Sequence, residues 1–468
     1  MGKFEALLLS LIVLLLALSV KPSVGYEGKG KGKGGGEGES VFMMEKSKQV
    51  VKTDGGEVRV LRGYMQRGTS TPMHIGFISM EPKTMFLPQY LDSSLILFIR
   101  TGEVKVGWIH KDEMVEKQLK TGDIYQIPAG SAFYLLNTGH GQRLSIICSI
   151  DVSNSLGFTS FQSFFIAGGT YPTSVLAGFD KRTLVTAFNV TNEQLREFLG
   201  RQNSGPIVYV TEAKQPHTWA SLLRLKQEEG RAMKQVEEDD QEEEDTHQKG
   251  GDDEPIWTWR KLLNSFLGKG RRGKKGPVRA PDSYNLYSRK PDFQNKYGWT
   301  MALDESDYAP LKHSCIGVYF VNLTAGSMLA PHVNPTATEY GVVVKGSGTI
   351  QVVYPNGTSA MNSEVREGDA FWIPRYFPFC QIASRSGPLE FFGFTTSSCK
   401  NQPQFLVGGS SVLRSMIGRE LAMAFDVSED RLKRLVDAQT ESIILPTWPL
   451  PPAEETREEE GEGKERAF

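Results

Sequence analysis

Gly122-Asp123-Ile124-Tyr125-Gln126-Ile127-Pro128 returns 246 residues later as Gly368-Asp369-Ala370-Phe371-Trp372-Ile373-Pro374. Gly-Asp suits a tight turn, and the apolar run closed by Pro suits a short buried strand. The repetition extends outward on both sides. Upstream, Phe98-Ile99-Arg100-Thr101-Gly102 matches Val343-Val344-Lys345-Gly346. Downstream, Phe165-Ile166-Ala167-Gly168-Gly169 matches Phe405-Leu406-Val407-Gly408-Gly409, and Ala187-Phe188-Asn189-Val190 matches Ala424-Phe425-Asp426-Val427. Four matches in one order at nearly constant spacing read as two copies of one domain, which suits a chain of 468 residues.

Within each copy, short β-branched and aromatic runs alternate with Gly, Pro, Asn and Asp turns. The first copy predicts strands at 58–61, 75–80, 96–99, 104–109 and 144–150. The second predicts them at 316–323, 340–344, 349–353, 370–373 and 390–395. Strands of this length and spacing indicate an antiparallel sandwich or barrel. A helical piece follows each set. Thr191-Asn192-Glu193-Gln194 is a capping-box start with Leu195, Phe198 and Leu199 on one face. Ser428 caps a second helix, with Glu429 and Asp430 in its first turn and Leu432, Leu435 and Val436 as its stripe.

Other stretches lie outside this plan. Lys3, the apolar run 7–18 and Ser23-Val24-Gly25 read as a signal peptide over 1–25, with the mature chain starting near Tyr26. A Gly/Lys-rich segment, predicted to be disordered, spans 26–40. Between the copies a linker at 226–280 is acidic over 237–245, carries Trp259, Leu262, Leu263 and Phe266 at helical spacing, and turns basic over 269–279. Its acidic part is predicted to be disordered, with the earliest protease cuts near 234–254. The tail, 446–468, is acidic, and its end, Arg466-Ala467-Phe468, is either an unaddressed tail or a sorting signal. The two domains are then 41–225 and 281–445.

A formal net charge of -2 gives no overall electrostatic case for nucleic acid or for a membrane as partner of the mature form. Cys148, Cys315, Cys380 and Cys399 show no CxxC spacing; buried free thiols are expected at all but Cys399, and the pairing of any single disulfide stays open. Asn189, Asn322 and Asn356 each open a glycosylation sequon, and Asn356-Gly357 looks like an exposed hairpin tip.

The Gly-Asp-x-x-x-Ile-Pro stretch is similar to the second half of a cupin signature, and Gly326, His332, Glu339 and Gly346 stand where its first half lies. The segment 323–339, with Ser283-Tyr284-Asn285-Leu286 and Asn295-Lys296-Tyr297-Gly298 ahead of it, resembles the second cupin of vicilin-like 7S globulins, the plant seed storage bicupins. In the first copy, Val58-Arg59-Val60-Leu61 and Leu87-Pro88-Gln89-Tyr90 fall in the places the family expects. The resemblance covers about 41–445 and implies an all-β chain of two cupin (jelly-roll β-barrel) domains, each with a helical extension, assembling as a homotrimer.

A working cupin metal site takes three His and a carboxylate around the ion. Here the resemblance leaves His332 and Glu339 as a remnant, with Asn334 at the second His position and Phe379 at the third. Gln89 and Phe133 stand at the corresponding first and third positions of the other copy. A phenyl ring cannot coordinate, so the barrel interiors are expected to be filled and to hold no metal or cofactor. Cys380 should point away from the barrel axis, opposite to Phe379, while His313 and Cys315, placed on an earlier strand, are the alternative ligands. The remaining histidines (His74, His110, His140, His217 and His247) are scattered, and no Ser-His-Asp pattern or phosphate loop appears.

The leading expectation is a non-catalytic nutrient reservoir, a glycoprotein of the secretory pathway bound for the protein storage vacuole or the extracellular space. Two other readings stand beside it: a bicupin that binds a small, sugar-like molecule, and a metal-dependent germin-like oxidoreductase.

Overall fold

The computed structural model describes residues 41–63, 73–151, 161–210 and 278–447. The predicted signal peptide, the Gly/Lys segment, nearly all of the linker with its amphipathic helix, and most of the tail lie outside these residues. Among the described residues no helix is long and apolar enough to cross a membrane.

The first copy contains β1 (Lys48–Thr53), β2 (Gly56–Leu61), β3 (His74–Met80), β4 (Thr84–Leu91), β5 (Leu95–Thr101), β6 (Glu103–His110), β7 (Glu113–Lys120), β8 (Asp123–Ile127), β9 (Phe133–Asn137), β10 (Leu144–Ile150), β11 (Ser163–Phe165) and β12 (Ile207–Tyr209). The second contains β13 (Tyr284–Asn285), β14 (Phe293–Asn295), β15 (Gly298–Leu303), β16 (Gly317–Leu323), β17 (Ser327–Val333), β18 (Glu339–Val353), β19 (Ser359–Arg366), β20 (Ala370–Ile373), β21 (Phe379–Ala383), β22 (Leu389–Thr395), β23 (Gln404–Phe405) and β24 (Ile444–Pro446).

In the first copy one sheet runs β1-β2-β3-β10-β5-β8 and the other β11-β4-β9-β6-β7, with β12 on β4. The second copy repeats this order strand for strand, β14-β15-β16-β22-β18-β20 in one half and β23-β17-β21-β18-β19 in the other, with β24 on β17. One difference from the sequence reading is physical. The two strands expected at 340–344 and 349–353 are a single strand, β18, which bends from one half of the barrel to the other at Gly346. That corner has φ +81°, and a Cβ there would sit 1.8 Å from the Pro388 carbonyl oxygen, so only glycine fits. In the first copy Gly102, at φ +96°, separates β5 from β6 at the same place.

Each barrel encloses its own core. Val104, Leu119, Tyr125 and Leu135 belong to the first and Ile350, Phe371, Phe379 and Leu389 to the second. A third cluster lies between them, joining Ile96, Phe98 and Ile147 to Phe320, Phe392 and Phe394. At its centre Phe98 stacks on Phe392 at 4.0 Å between centroids. Burying aromatic area in this way is the main contribution holding the copies together. The copies also exchange leading segments. β13, ahead of the second barrel, pairs with β8 of the first, and Met43, ahead of the first barrel, bridges to Phe371 in β20 of the second. The repeated Gly-Asp strand is therefore the docking strand at both ends of a pseudo-two-fold arrangement.

The helical pieces are α1 (Lys181–Phe188) and α2 (Asn192–Gly200) after the first barrel, and α3 (Val412–Ser415), α4 (Arg419–Ala424) and α5 (Glu429–Asp437) within the second extension. The capping box at Thr191 and Gln194 is formed, and Ser428 caps α5 through the Arg431 N–H. The apolar stripes divide: Leu195, Leu432 and Val436 are buried, while Phe198 and Leu435 face outward. Cys148 and Cys380 are buried and Cys315 and Cys399 exposed, all as free thiols. The exposure of Cys315 departs from the sequence reading, because its run is not a strand there. A 3-10 turn, Ala309–His313, leads into Cys315 at φ 53°, outside the sheet.

Candidate ligand site in the second barrel

Antiparallel register puts His332 of β17 opposite Phe379 of β21 on one side and Phe405 of β23 on the other. Its ring packs against both, with centroids 4.1 and 5.2 Å away. The imidazole Nδ1 lies 2.7 Å from the Ala330 carbonyl oxygen. A carbonyl only accepts, so Nδ1 carries the proton and Nε2 keeps its lone pair. Burial pushes the ring's pKa down to about 4, against the smaller opposing effect of that hydrogen bond. The ring is neutral at physiological pH.

Glu339 opens β18 and is buried. Burial raises its carboxyl to about 7, and the 2.8 Å hydrogen bond donated by Asn334 Nδ2 to Oε1 pulls the other way. Asn334 is fixed in turn, because its Oδ1 accepts from the Thr336 N–H, the Thr336 hydroxyl and the Ala337 N–H at 3.0–3.1 Å. At this position a histidine would be a ligand; the asparagine is a turn-former tied to the carboxyl.

The donor set does not fit a transition ion. Phe379 offers no lone pair, Asn334 is engaged, and among the described residues no three His, Cys, Asp or Glu side chains converge. The alternative ligands named from the sequence are not brought in. His313 and Cys315 belong to the 3-10 segment and its exposed end. Cys380 lies on the face opposite Phe379, with its thiol 3.7 Å from Gln351 Oε1.

The expectation of filled interiors fails for the second barrel. A cavity of about 680 Å³ reaches from Arg289, Lys400 and Asn401 at its mouth to His332, Glu339 and Gln381 inside. Phe379 packs against His332, with ring centroids 4.1 Å apart, and is not among the side chains that line the cavity. Its apolar walls include Val318, Leu329, Phe391 and Phe405. Gln381 and Tyr319, which sequence reasoning did not single out, also line it. Both amide atoms of Gln381 and the Tyr319 hydroxyl are buried with no hydrogen-bond partner among the described residues. Each unpaired buried group of this kind costs roughly 1–3 kcal/mol.

A comparison of the two copies position by position would have exposed them. In the first barrel Gln89 takes the place of His332, opposite Phe133 and Phe165, and its amide is likewise unpartnered among the described residues. Leu95 takes the place of Glu339, Leu135 that of Gln381 and Gly76 that of Tyr319. The other residues named from sequence are dispersed. Asn356 sits exposed at the β18–β19 hairpin tip, Asn189 is the left-handed C-cap of α1, and Asn322 is half-buried within paired β16.

The cupin family matches residues 42–196 and 284–433. A vicilin-like seed storage protein of Arabidopsis thaliana is 56% identical over 415 residues, covering 87% of this chain and 80% of the relative. Among solved structures, the vicilin of Corylus avellana (hazelnut) superimposes with a TM-score of 0.68 at 22% identity, over 87% of this chain and 99% of that one. A vicilin from Solanum melongena, in which different anionic ligands occupy structurally similar pockets, gives 0.68 at 19% identity, over 87% and 98%.

Proposed function

Because the chain belongs to the cupin family, as a two-cupin protein of the vicilin-like seed storage type, we propose that it is laid down as a nutrient reserve and catalyses nothing. The observation that carries the second half is the pairing of His332 with Phe379 and of Glu339 with Asn334. A phenyl ring and a tied carboxamide stand where further ligands would be needed, so among the described residues the imidazole and the carboxyl have no third group with which to hold an ion. A neutral imidazole against phenyl rings is also poorly placed to relay protons.

Homotrimeric assembly belongs to the same proposal. The helical extensions carry large apolar side chains in the open: Phe179, Phe188 and Phe198 after the first barrel, Met423, Phe425 and Leu435 after the second. Exposed apolar groups clustered on one element favour a partner surface. Since the copies are pseudo-equivalent, the first extension of one subunit can meet the second of the next, and such a head-to-tail contact closes into a ring. Passage through the secretory pathway to the storage vacuole, with a glycan at Asn356, completes the reading; the hairpin tip presents that asparagine in the open.

Two measurements test it. Protein abundance followed through seed filling and germination should rise to a sizeable share of the total and then fall as the chain is consumed. Elemental analysis of natively purified material should find less than one transition ion per chain. A trace, constant level would overturn the reserve role, and a stoichiometric ion would overturn the non-catalytic one.

A further inference from the structure

We propose that the second barrel binds a small uncharged molecule with an apolar body and a carboxamide-like head, an adjacent hydrogen-bond donor and acceptor that pair with Gln381. This goes beyond the storage role and does not depend on it.

The first support is the chemistry of the cavity floor. Gln381 is 1% exposed and lines the cavity, yet neither its Nε2 nor its Oε1 has a partner among the described residues. A side-chain amide presents a donor and an acceptor side by side, and a second carboxamide completes both in one two-bond ring. The Tyr319 hydroxyl and the lone pair on His332 Nε2 lie on the same lining and add one more donor and one more acceptor. A carboxylate, by contrast, has no hydrogen to give Gln381 Oε1, and it would bring negative charge toward Glu339. The cations are at the mouth, where Arg289 is already paired with Asp292 and Asp307.

The second support is an internal control. The first barrel has the same strand order with Leu135 at the Gln381 position and Leu95 at the Glu339 position. This barrel architecture therefore closes with apolar residues there, and closure alone gives no reason for a buried amide and a buried carboxyl. A buried polar side chain that the fold does not need, unpartnered on the lining of a cavity, is explained by what it meets when a ligand enters and reaches it.

The third support is size. About 680 Å³ falls within the range of roughly 300–1,000 Å³ that small-molecule sites occupy. Leu329, Phe391 and Phe405 supply walls for a flat apolar body.

Benzamide and benzoate are nearly the same shape and differ in the head group. Titration calorimetry of the full chain at pH 7.5 should show benzamide binding and benzoate at least about tenfold weaker, the loss expected when one buried hydrogen bond is replaced by an unpaired acceptor. Gln381→Leu, which installs the residue of the first barrel, should weaken benzamide by about tenfold or more while the thermal midpoint of the free protein holds or rises. Gln381→Met serves the same purpose if the leucine variant fails to fold. Benzoate binding as tightly as benzamide would make this an anion site and overturn the proposal. Binding of glucose without benzamide, an absence of benzamide binding, or binding untouched by the Gln381 substitution would overturn it equally.

Discussion

Glu339→Gln isolates the electrostatics of the second barrel with little change in shape, because Gln Oε1 can still accept the hydrogen bond that Asn334 Nδ2 gives Glu339. In the folded chain the carboxyl titrates at about 7, against 4.5 when free, because burial penalises the charged form. A folded value above the free one means that the native state holds the proton more tightly. The favourable contribution is therefore complete below pH 4.5 and is lost as pH rises through 7. With 1.36 kcal/mol for each pH unit, the whole effect is about 3 kcal/mol. Glutamine does not titrate. The stability of the variant relative to the native sequence should be constant below pH 4.5 and should improve by about 3 kcal/mol by pH 8. His332, whose folded value of about 4 lies below its free 6.5, has the opposite slope, but it is common to both chains and cancels in the difference. Urea unfolding of both proteins from pH 4 to 8, at one protein concentration, gives the curve directly. A difference that stays flat with pH, or a native sequence that gains on the variant as pH rises, would refute the buried-carboxyl reasoning.

Phe379→His should yield neither stoichiometric manganese or copper in elemental analysis nor turnover, since Asn334 remains held by Thr336, Ala337 and Glu339, and it should lower stability by about 2 kcal/mol through lost apolar burial. Phe392→Ala removes one ring of the 4.0 Å stack between the barrels; a loss of about 3–5 kcal/mol is expected, read as a lower calorimetric midpoint for both copies together. A thiol reagent added to native protein should modify Cys315 and Cys399 quickly. Cys148 and Cys380, buried and pushed up to about 12 and about 11, should react only after unfolding.

Much of this molecule can be read from the chain because a repeat carries its own confirmation. The Gly-Asp-x-x-x-Ile-Pro strands, the capping box at Thr191 and the strand at 144–150 all depend on local chemistry, namely turn residues, caps and period-two burial, and they stand where the sequence put them. The replacement of would-be ligands by Asn334 and Phe379 is legible for the same reason, since a substitution in a motif is local. What could not be read is set across strands. Whether Phe379 fills the barrel depends on how its ring meets His332, itself held against Phe405, on two other strands. The exchange of Met43 and β13 between barrels is a contact between segments far apart in sequence, and no periodicity announces it.

The two interiors differ through pairs, and this decides how a single fold acquires one polar barrel. On the first barrel's wall Cys148 faces Gly76 across the β3–β10 ladder, and a Cβ on Gly76 would lie 2.6 Å from the Cys148 sulfur. At the same register of the second barrel the glycine changes sides: Tyr319 faces Gly393, where a Cβ would lie 2.2 Å from the Tyr340 carbonyl oxygen and 2.3 Å from the tyrosine ring. In each ladder a glycine leaves room for the side chain opposite it. Only the second arrangement delivers a phenol hydroxyl to the wall beside Glu339 and Gln381. Because the Tyr340 carbonyl oxygen holds position 393 to glycine whatever stands at 319, Tyr319→Phe is the variant that removes the hydroxyl and should preserve the barrel, with a thermal midpoint that holds or rises; a midpoint that falls would show that the hydroxyl is needed for packing. The polarity of the second interior thus rests on side chains at Tyr319, Glu339 and Gln381, positions where the first barrel carries Gly76, Leu95 and Leu135, and it is separable from the packing that closes the barrel.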